Sequence, residues 1–177
     1  MSNKELQALE KSEGLDMYLY SSIKKHPSPF KSPTLVVEQL KNIEKKLFPK
    51  SEQMDFSKEL KSSNSTLIYG IDKGSKTNQI TAYLIYQYNP FDKLFRLIKV
   101  GIEAKNQRKG YATLLVNSMI NLIKSKSQEF EILLHVDVSR EKAIKLYEKF
   151  NFEILETIEN YYGNDRSAHL MRFINKN

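Results

Sequence analysis

The chain has 177 residues, with 28 Lys and Arg against 21 Asp and Glu, a formal charge of +7, and no cysteine. That length holds one ordinary domain with a single sizeable core, and the charge favours an anionic partner without naming it. The missing cysteine excludes disulfides, cysteine-zinc clusters and thiol nucleophiles.

The N-terminus, "MSNKELQALEKSEGLDMYLY", lacks the uninterrupted apolar core of a signal peptide, and no other stretch is long enough to span a bilayer. The expectation is a soluble, cytoplasmic protein with no membrane partner. Residues 1–14 read as a flexible polar segment and 15–177 as one domain; no internal repeat divides it. A second flexible stretch is "HPSPFKSP", around Pro27 and Pro33. From Thr34 to Leu47 the residues Leu35, Val36, Leu40, Ile43 and Leu47 recur at helical spacing. Pro33 suits the opening turn of that helix, and Pro49 ends it. A shorter amphipathic piece lies around Asp55 to Leu60, followed by strand-like runs "TLIYGI", "QITAYLIYQY" and "LFRLIKVGIEA" joined by the hairpin loops "DKGSKTN" and "NPFDK". An amphipathic helix then carries Tyr111, Leu114, Leu115, Met119, Leu122 and Ile123 on one side, a stripe that needs a sheet to cover it. "FEILLHVDV" reads as a strand buried on both faces, "REKAIKLYEKF" as a helix, and "FEILET" and "AHLMRF" as two last strands. The order is an antiparallel meander, helix, strand, helix, strand, strand, which predicts an α+β domain.

Between the meander and its following helix stands "QRKGYA", Gln107 to Ala112. The first turn of a helix has unpaired N–H groups and the positive end of a dipole, so an anion can be held there by backbone alone. Gly110 would let the backbone approach such an anion, and Arg108 and Lys109 would add charge. Taken by itself, a single glycine at a strand-to-helix junction is more often an ordinary turn.

The pattern Gln-x-x-Gly-x-Ala, followed by helix, strand and "AIKLYEKFNF", resembles the GNAT superfamily of acyl-CoA-dependent N-acetyltransferases. The resemblance runs from about the first helix to the C-terminus. It implies a mixed, mostly antiparallel twisted sheet of about seven strands, helices on both faces, and a V-shaped splay between the fourth and fifth strands, ending near Ile102 and Val136. It implies acetyl-CoA as co-substrate, with the pyrophosphate held on Gln107, Arg108, Lys109, Gly110, Tyr111 and Ala112. The remainder of the coenzyme would lie along Val100, Gly101 and Ile102, near Arg140 and Tyr147. "FPKSE" and "ENYYGNDRSAHLM" are similar to segments of protein N-terminal acetyltransferases, of the bacterial ribosomal-protein type and the eukaryotic NatE type. By that likeness Phe48, Pro49, Glu52, Tyr161 and Tyr162 would line a groove for the N-terminus of a protein or peptide. Read without it, Phe48 and Pro49 cap a helix and the tyrosines cover a sheet edge.

An α-ammonium has a pKa near 8 and a lysine about 10.4, so deprotonation at neutral pH costs roughly 1.4 and 4.6 kcal/mol respectively. A modest base suffices for the first. His135, in "LLHVDV", titrates in the right range and, by the resemblance to the NatE type, is the catalytic base that also meets the acceptor. From spacing alone, a lone histidine in a buried strand reads as a satisfied core residue. Tyr147, in "KLYEKF", matches the tyrosine that donates to the coenzyme A sulfur; its plain alternative is packing with Ile144 and Phe150. With no cysteine and no activated serine, transfer would be direct.

The chain also departs from the pattern. Arg96 stands where related enzymes place a catalytic tyrosine or glutamate, unless a strand bulge slips the register. Arg140 replaces the usual asparagine, and Asn151 a common glycine that asparagine can mimic in the left-handed conformation. Glu52 fits the bacterial type rather than the NatE type. Glu103 reads as exposed or structural. His26, His135 and His169 lack metal-ligand spacing, so no metal is expected. Lys45, Lys46, Lys124 and Lys126 form a solvated face that could meet ribosomal RNA, without interleaved stacking aromatics and with no DNA partner expected. A ribosome or an auxiliary acetyltransferase subunit would suit an N-terminal acetyltransferase as partner. The second enzymatic reading is acetylation of a lysine or a small polyamine. A reading of another class, a basic ribosome- or RNA-associated domain with an inactive site, rests on Arg96.

Overall fold

The computed structural model describes residues 9, 14–20, 29–163 and 165–176. Most of the 1–14 segment, and His26 to Ser28 of "HPSPFKSP", lie outside the described residues. In chain order the elements are β1 (Leu15–Leu19), α1 (Pro33–Leu47), α2 (Phe56–Glu59), β2 (Ser65–Asp72), β3 (Ile80–Asn89), β4 (Leu94–Ile102), α3 (Tyr111–Lys124), β5 (Phe130–Asp137), α4 (Glu141–Glu148), β6 (Glu153–Ile158) and β7 (Ala168–Asn175). Pro33 opens α1, and the chain turns extended at Phe48, as Pro49 requires of the residue before it. The sequence reading places no strand before Thr66, and β1 is the difference. Only five residues long and continuous with a polar segment, it offers too little alternation to stand out, although Leu15, Met17 and Leu19 do point to one core.

The sheet order is β1-β2-β3-β4-β5-β7-β6, antiparallel throughout except for the parallel pair β4 and β5. Helices cover both faces because both faces are apolar. On one, Val36, Leu40 and Ile43 of α1 and Phe56 of α2 pack on Leu67, Tyr69, Tyr83 and Ile85. On the other, Leu115, Val116, Met119, Leu122 and Ile123 of α3 and Tyr147 of α4 pack on Ile68, Leu84, Leu97, Ile132 and Leu134.

Strands β4 and β5 pair only where Phe95, Arg96 and Leu97 face Ile132, Leu133 and Leu134. The β3–β4 register slips at that level, Ile85 facing Lys99 and Tyr86 facing Leu97, so that Ile98 is the extra residue of a bulge. A bulge bends its strand and increases its twist. Beyond it β4 stays with β3 as far as Ile102, while β5 stays with β7 as far as Asp137. Each arm of the V is therefore held from outside, and the inner edges are parted.

Gly101 sits on the β4 arm directly across from Tyr83, and a Cβ there would overlap the tyrosine ring. Tyr83 is fully buried and its hydroxyl donates to Glu44 of α1, which is itself buried. Overpacking of this kind costs about 1–3 kcal/mol, so Gly101→Ala should lower the melting temperature by several degrees. Thermal denaturation checks this, and an unchanged midpoint would mean the ring does not need that space.

Candidate active site

The parted strands enclose an open cleft of about 920 Å³, lined from the β4 arm by Ile98, Lys99, Val100, Gly101 and Ile102 and from the β5 arm by His135, Val136 and Asp137. At the end of the β4 arm a 3-10 turn, Ala104–Asn106, leads into the glycine loop. There Arg108 has φ of 66° and Gly110 has φ of 80°, both left-handed, and α3 begins at Tyr111. The first intrahelical bond runs from the Leu114 N–H to the Gly110 carbonyl, at 3.1 Å. The N–H groups of Tyr111, Ala112 and Thr113 thus belong to the unpaired first turn, and these residues face the cleft with Gln107, Arg108 and Gly110. A Cβ at Gly110 would meet no protein atom, so the glycine answers to its backbone angle and leaves open space in front of the loop. This concave, N–H-lined, positively charged turn fits a pyrophosphate.

Lys109 is turned elsewhere. Its ammonium donates to Asp72 of β2 at 2.6 Å and to the Asn106 side chain at 2.8 Å, and it does not line the cleft. The hydrogen bonds from Lys109 and Tyr111 hold the Asp72 carboxyl below its usual range. Lys109 braces the loop from behind rather than charging its front.

His135 projects from β5 on the face opposite Leu134 and Val136, which belong to the α3-side core. Its imidazole stacks on the Tyr161 ring, with centroids 4.3 Å apart and planes 11° apart. Tyr162 lies edge-on to Tyr161 at 4.9 Å and its hydroxyl reaches the His135 carbonyl at 3.4 Å. Burial, and then the positive charge of Arg96, lower the His135 pKa, partly offset by Glu156. Tyr147 reaches the cleft from the last turn of α4 and is buried, which pushes its hydroxyl up to about 12 and keeps it a proton-bearing donor. Arg96 lies before the bulge, its guanidinium bonded to Asp92 and outside the cleft lining.

Where α1 ends, Phe48 and Glu52 line the cleft with Leu47 and Met54, whereas Pro49 and Tyr161 are not among the lining residues. The charges here are paired. Lys99 donates to Glu44 at 2.9 Å and lies over the Phe48 ring, 3.9 Å from its centroid. Arg140, at the start of α4, approaches the same ring at 5.5 Å and donates to Glu52 at 3.2 Å. Arg166 donates to Glu52 at 2.6 Å and to Asp137 at 2.6 and 2.9 Å. Hydrogen bonds from Ser139, then the Arg166 guanidinium, hold the Asp137 carboxyl at about 2 against the opposing effect of burial.

A sequence model of the Acetyltransferase (GNAT) family matches residues 37–152, the span from α1 through the glycine loop to the end of α4. The chain belongs to the GNAT acetyltransferase family. It is an enzyme that transfers an acetyl group, with acetyl-CoA as donor. Among GNAT relatives, N-alpha-acetyltransferase 50 of Danio rerio is 29% identical over 126 residues, covering 71% of this chain and 74% of that protein. The ribosomal-protein-S18-alanine N-acetyltransferase of Escherichia coli has a similar structure, with a TM-score of 0.71, 19% identity, and coverage of 92% and 95% of the two chains. Arabidopsis thaliana NAA60 in complex with acetyl-CoA gives a TM-score of 0.70 at 14% identity, covering 90% of this chain and 98% of that one.

In this GNAT chain all but three of the residues expected at the site from sequence line the cleft: Lys109 braces the loop, Pro49 is not among the lining residues, and Tyr161 meets the cleft only through its stacking on His135. The structure adds Glu44, Lys99, Asp137 and Arg166. Lys99 shares "LFRLIKVG" with a second cation, Arg96, and no local signal separates the one that lines the cleft from the one that does not. Because His135 favours its neutral form, NMR titration of its ring protons should give a midpoint below the ordinary 6.5. Arg96→Gln removes one cause of that shift and should move the midpoint upward; a midpoint at or above 6.5 in the unmodified protein would contradict the arrangement.

Proposed function

We propose that this acetyltransferase acts on the N-terminal α-amine of a protein or peptide, by direct transfer from acetyl-CoA. The observation that carries the reading is one cleft holding an anion-binding loop on one arm and a neutral-leaning imidazole, flanked by two tyrosines, on the other. Arg108 to Ala112 suit the pyrophosphate. The inner edge of β4 from Val100 to Ile102, left by β5, offers backbone partners to an extended, amide-bearing arm. Bound there, acetyl-CoA supplies an activated thioester.

His135 accepts the proton of the acceptor ammonium. A base whose pKa lies below 6.5 is poorly matched to a lysine, for which deprotonation costs roughly 4.6 kcal/mol at neutral pH, and better matched to an α-amine at roughly 1.4 kcal/mol. As the amine nitrogen bonds to the carbonyl carbon and the carbon–sulfur bond breaks, Tyr147 donates a hydrogen bond to the sulfur where charge develops. Phe48, Glu52, Tyr161 and Tyr162 flank the opening through which a chain end would reach His135. The names of the relatives support the same acceptor: one is an N-alpha-acetyltransferase and another acetylates an alanine of a ribosomal protein. The setting is the cytoplasm, where N-termini emerge from ribosomes, and the excess positive charge suits work near RNA.

Purified protein given acetyl-CoA and a library of peptides with free N-termini should release coenzyme A, and blocking the α-amine should abolish release. Release that persists on blocked, lysine-containing peptides would assign the acceptor to lysine instead. His135→Ala should reduce turnover on the best peptide by about 100-fold or more, the usual weight of a general base. Tyr147→Phe should reduce it by about tenfold through the lost hydrogen bond. If both leave turnover intact in folded protein, the site assignment is wrong.

A further inference from the structure

Arg166 lies in the segment between β6 and β7, within "ENYYGNDRSAHLM", where the sequence reading singles out Tyr161 and Tyr162 but not the arginine. In space it joins three parts of the acceptor side. Its Nη1 donates to the Glu52 Oε1 at 2.6 Å, and its Nε and Nη2 donate to the Asp137 Oδ2 at 2.9 and 2.6 Å. The guanidinium also lies over the Tyr162 ring, 5.2 Å from its centroid, and the Arg166 carbonyl accepts from the Tyr162 N–H at 3.1 Å. One side chain therefore ties the Phe48–Glu52 segment, the end of the strand that carries His135, and the tyrosine segment that packs on His135.

Chemistry favours arginine at this junction. A planar fork with several fixed donors can serve two carboxylates at once, which a single ammonium does less well. Asp137 is buried, with a side chain only 4% exposed, and Glu52 is largely enclosed at 18%. Without Arg166 the first loses its counter-ion and the second keeps only Arg140, at 3.2 Å. Two enclosed carboxylates would then repel, and the segments that carry them would move apart.

We infer that Arg166 is a positioning residue that sets the acceptor opening, holding Phe48 and Glu52 against Tyr162 at the distance an incoming chain end requires. This rests on the reading that an α-amine enters between those segments. The donor loop lies on the other arm of the V and depends on Asp72, Asn106 and Lys109 instead. Loss of Arg166 therefore acts on acceptor binding and spares donor binding.

The test compares Arg166→Gln, Arg166→Lys and Glu52→Gln with the unmodified protein, using a peptide substrate without charged side chains. Arg166→Gln should raise the peptide KM about tenfold with kcat changed less than about threefold, and leave the Kd for acetyl-CoA, measured by calorimetry, unaltered. Arg166→Lys should recover part of the loss. Glu52→Gln should raise the peptide KM in the same direction, and the double variant should add little to either single one, as for partners in one interaction. Hydrogen exchange should quicken in both the 48–53 and 159–163 segments of Arg166→Gln. If the unmodified protein acetylates the peptide and Arg166→Gln matches it in peptide KM and exchange, the role of Arg166 is overturned while the acceptor reading stands. If the Kd for acetyl-CoA weakens in parallel with the peptide KM, the residue supports the fold at large and the inference fails. If no peptide with a free N-terminus is acetylated even by the unmodified protein, the acceptor reading fails and the acceptor role of Arg166 with it.

Discussion

Everything this protein does depends on two parallel strands separating after a short shared ladder. β4 and β5 are joined at Phe95–Leu97 and Ile132–Leu134, then diverge where Ile98 is inserted into the β4 side of its pairing with β3. Backbone amides in a sheet normally satisfy one another, and a strand edge facing a cleft instead must find water or a ligand. The parting thus creates, in the middle of a sheet rather than at its margin, two edges that no longer pair with each other. Because β3 and β7 hold the outer sides, the opening is rigid and does not collapse on itself.

The two arms divide the labour by physical type. The β4 arm ends in a turn whose left-handed residues and helix onset gather N–H groups, so its suitability for an anion comes from the backbone. The opposite side is built from side-chain charges that neutralise one another: Glu44 with Lys99, and Glu52 and Asp137 with Arg140 and Arg166. Enclosed charges tolerate burial only in such company. The Phe48 ring sits between Lys99 and Arg140, so the apolar wall and the ionic frame are one construction. At His135 the influence of Glu156 is outweighed by burial and by the positive charge of Arg96, so its environment favours the neutral ring.

What could be seen from the sequence follows the range over which each feature is encoded. The glycine loop, the amphipathic helix behind it and the left-handed Asn151, with φ of 62°, are set by neighbouring residues, and all three were legible. The splay and the approximate strand count came from likeness to known acetyltransferases, since periodicity located six strands and missed the short β1. The pairs Glu44 with Lys99 and Glu52 with Arg166 join residues more than fifty positions apart, which no local pattern records. Arg96 shows the limit most clearly. A single inserted residue at Ile98 decides which side chains beyond it face the cleft, and apolar alternation does not reveal where a bulge falls. Lys109 looked like a phosphate ligand because charge near a phosphate loop invites that reading, yet its ammonium is taken by Asp72 and Asn106.

That bond from Lys109 to Asp72 reaches further than the loop it supports. Asp72 closes β2 and pairs with Leu15 of β1, so the glycine loop is fastened to the far end of the meander. The left-handed angles at Arg108 and Gly110 are thereby braced by contacts that belong to the fold itself. A turn held in this way resembles a lock already cut, and an anion that enters it has little conformational entropy to remove.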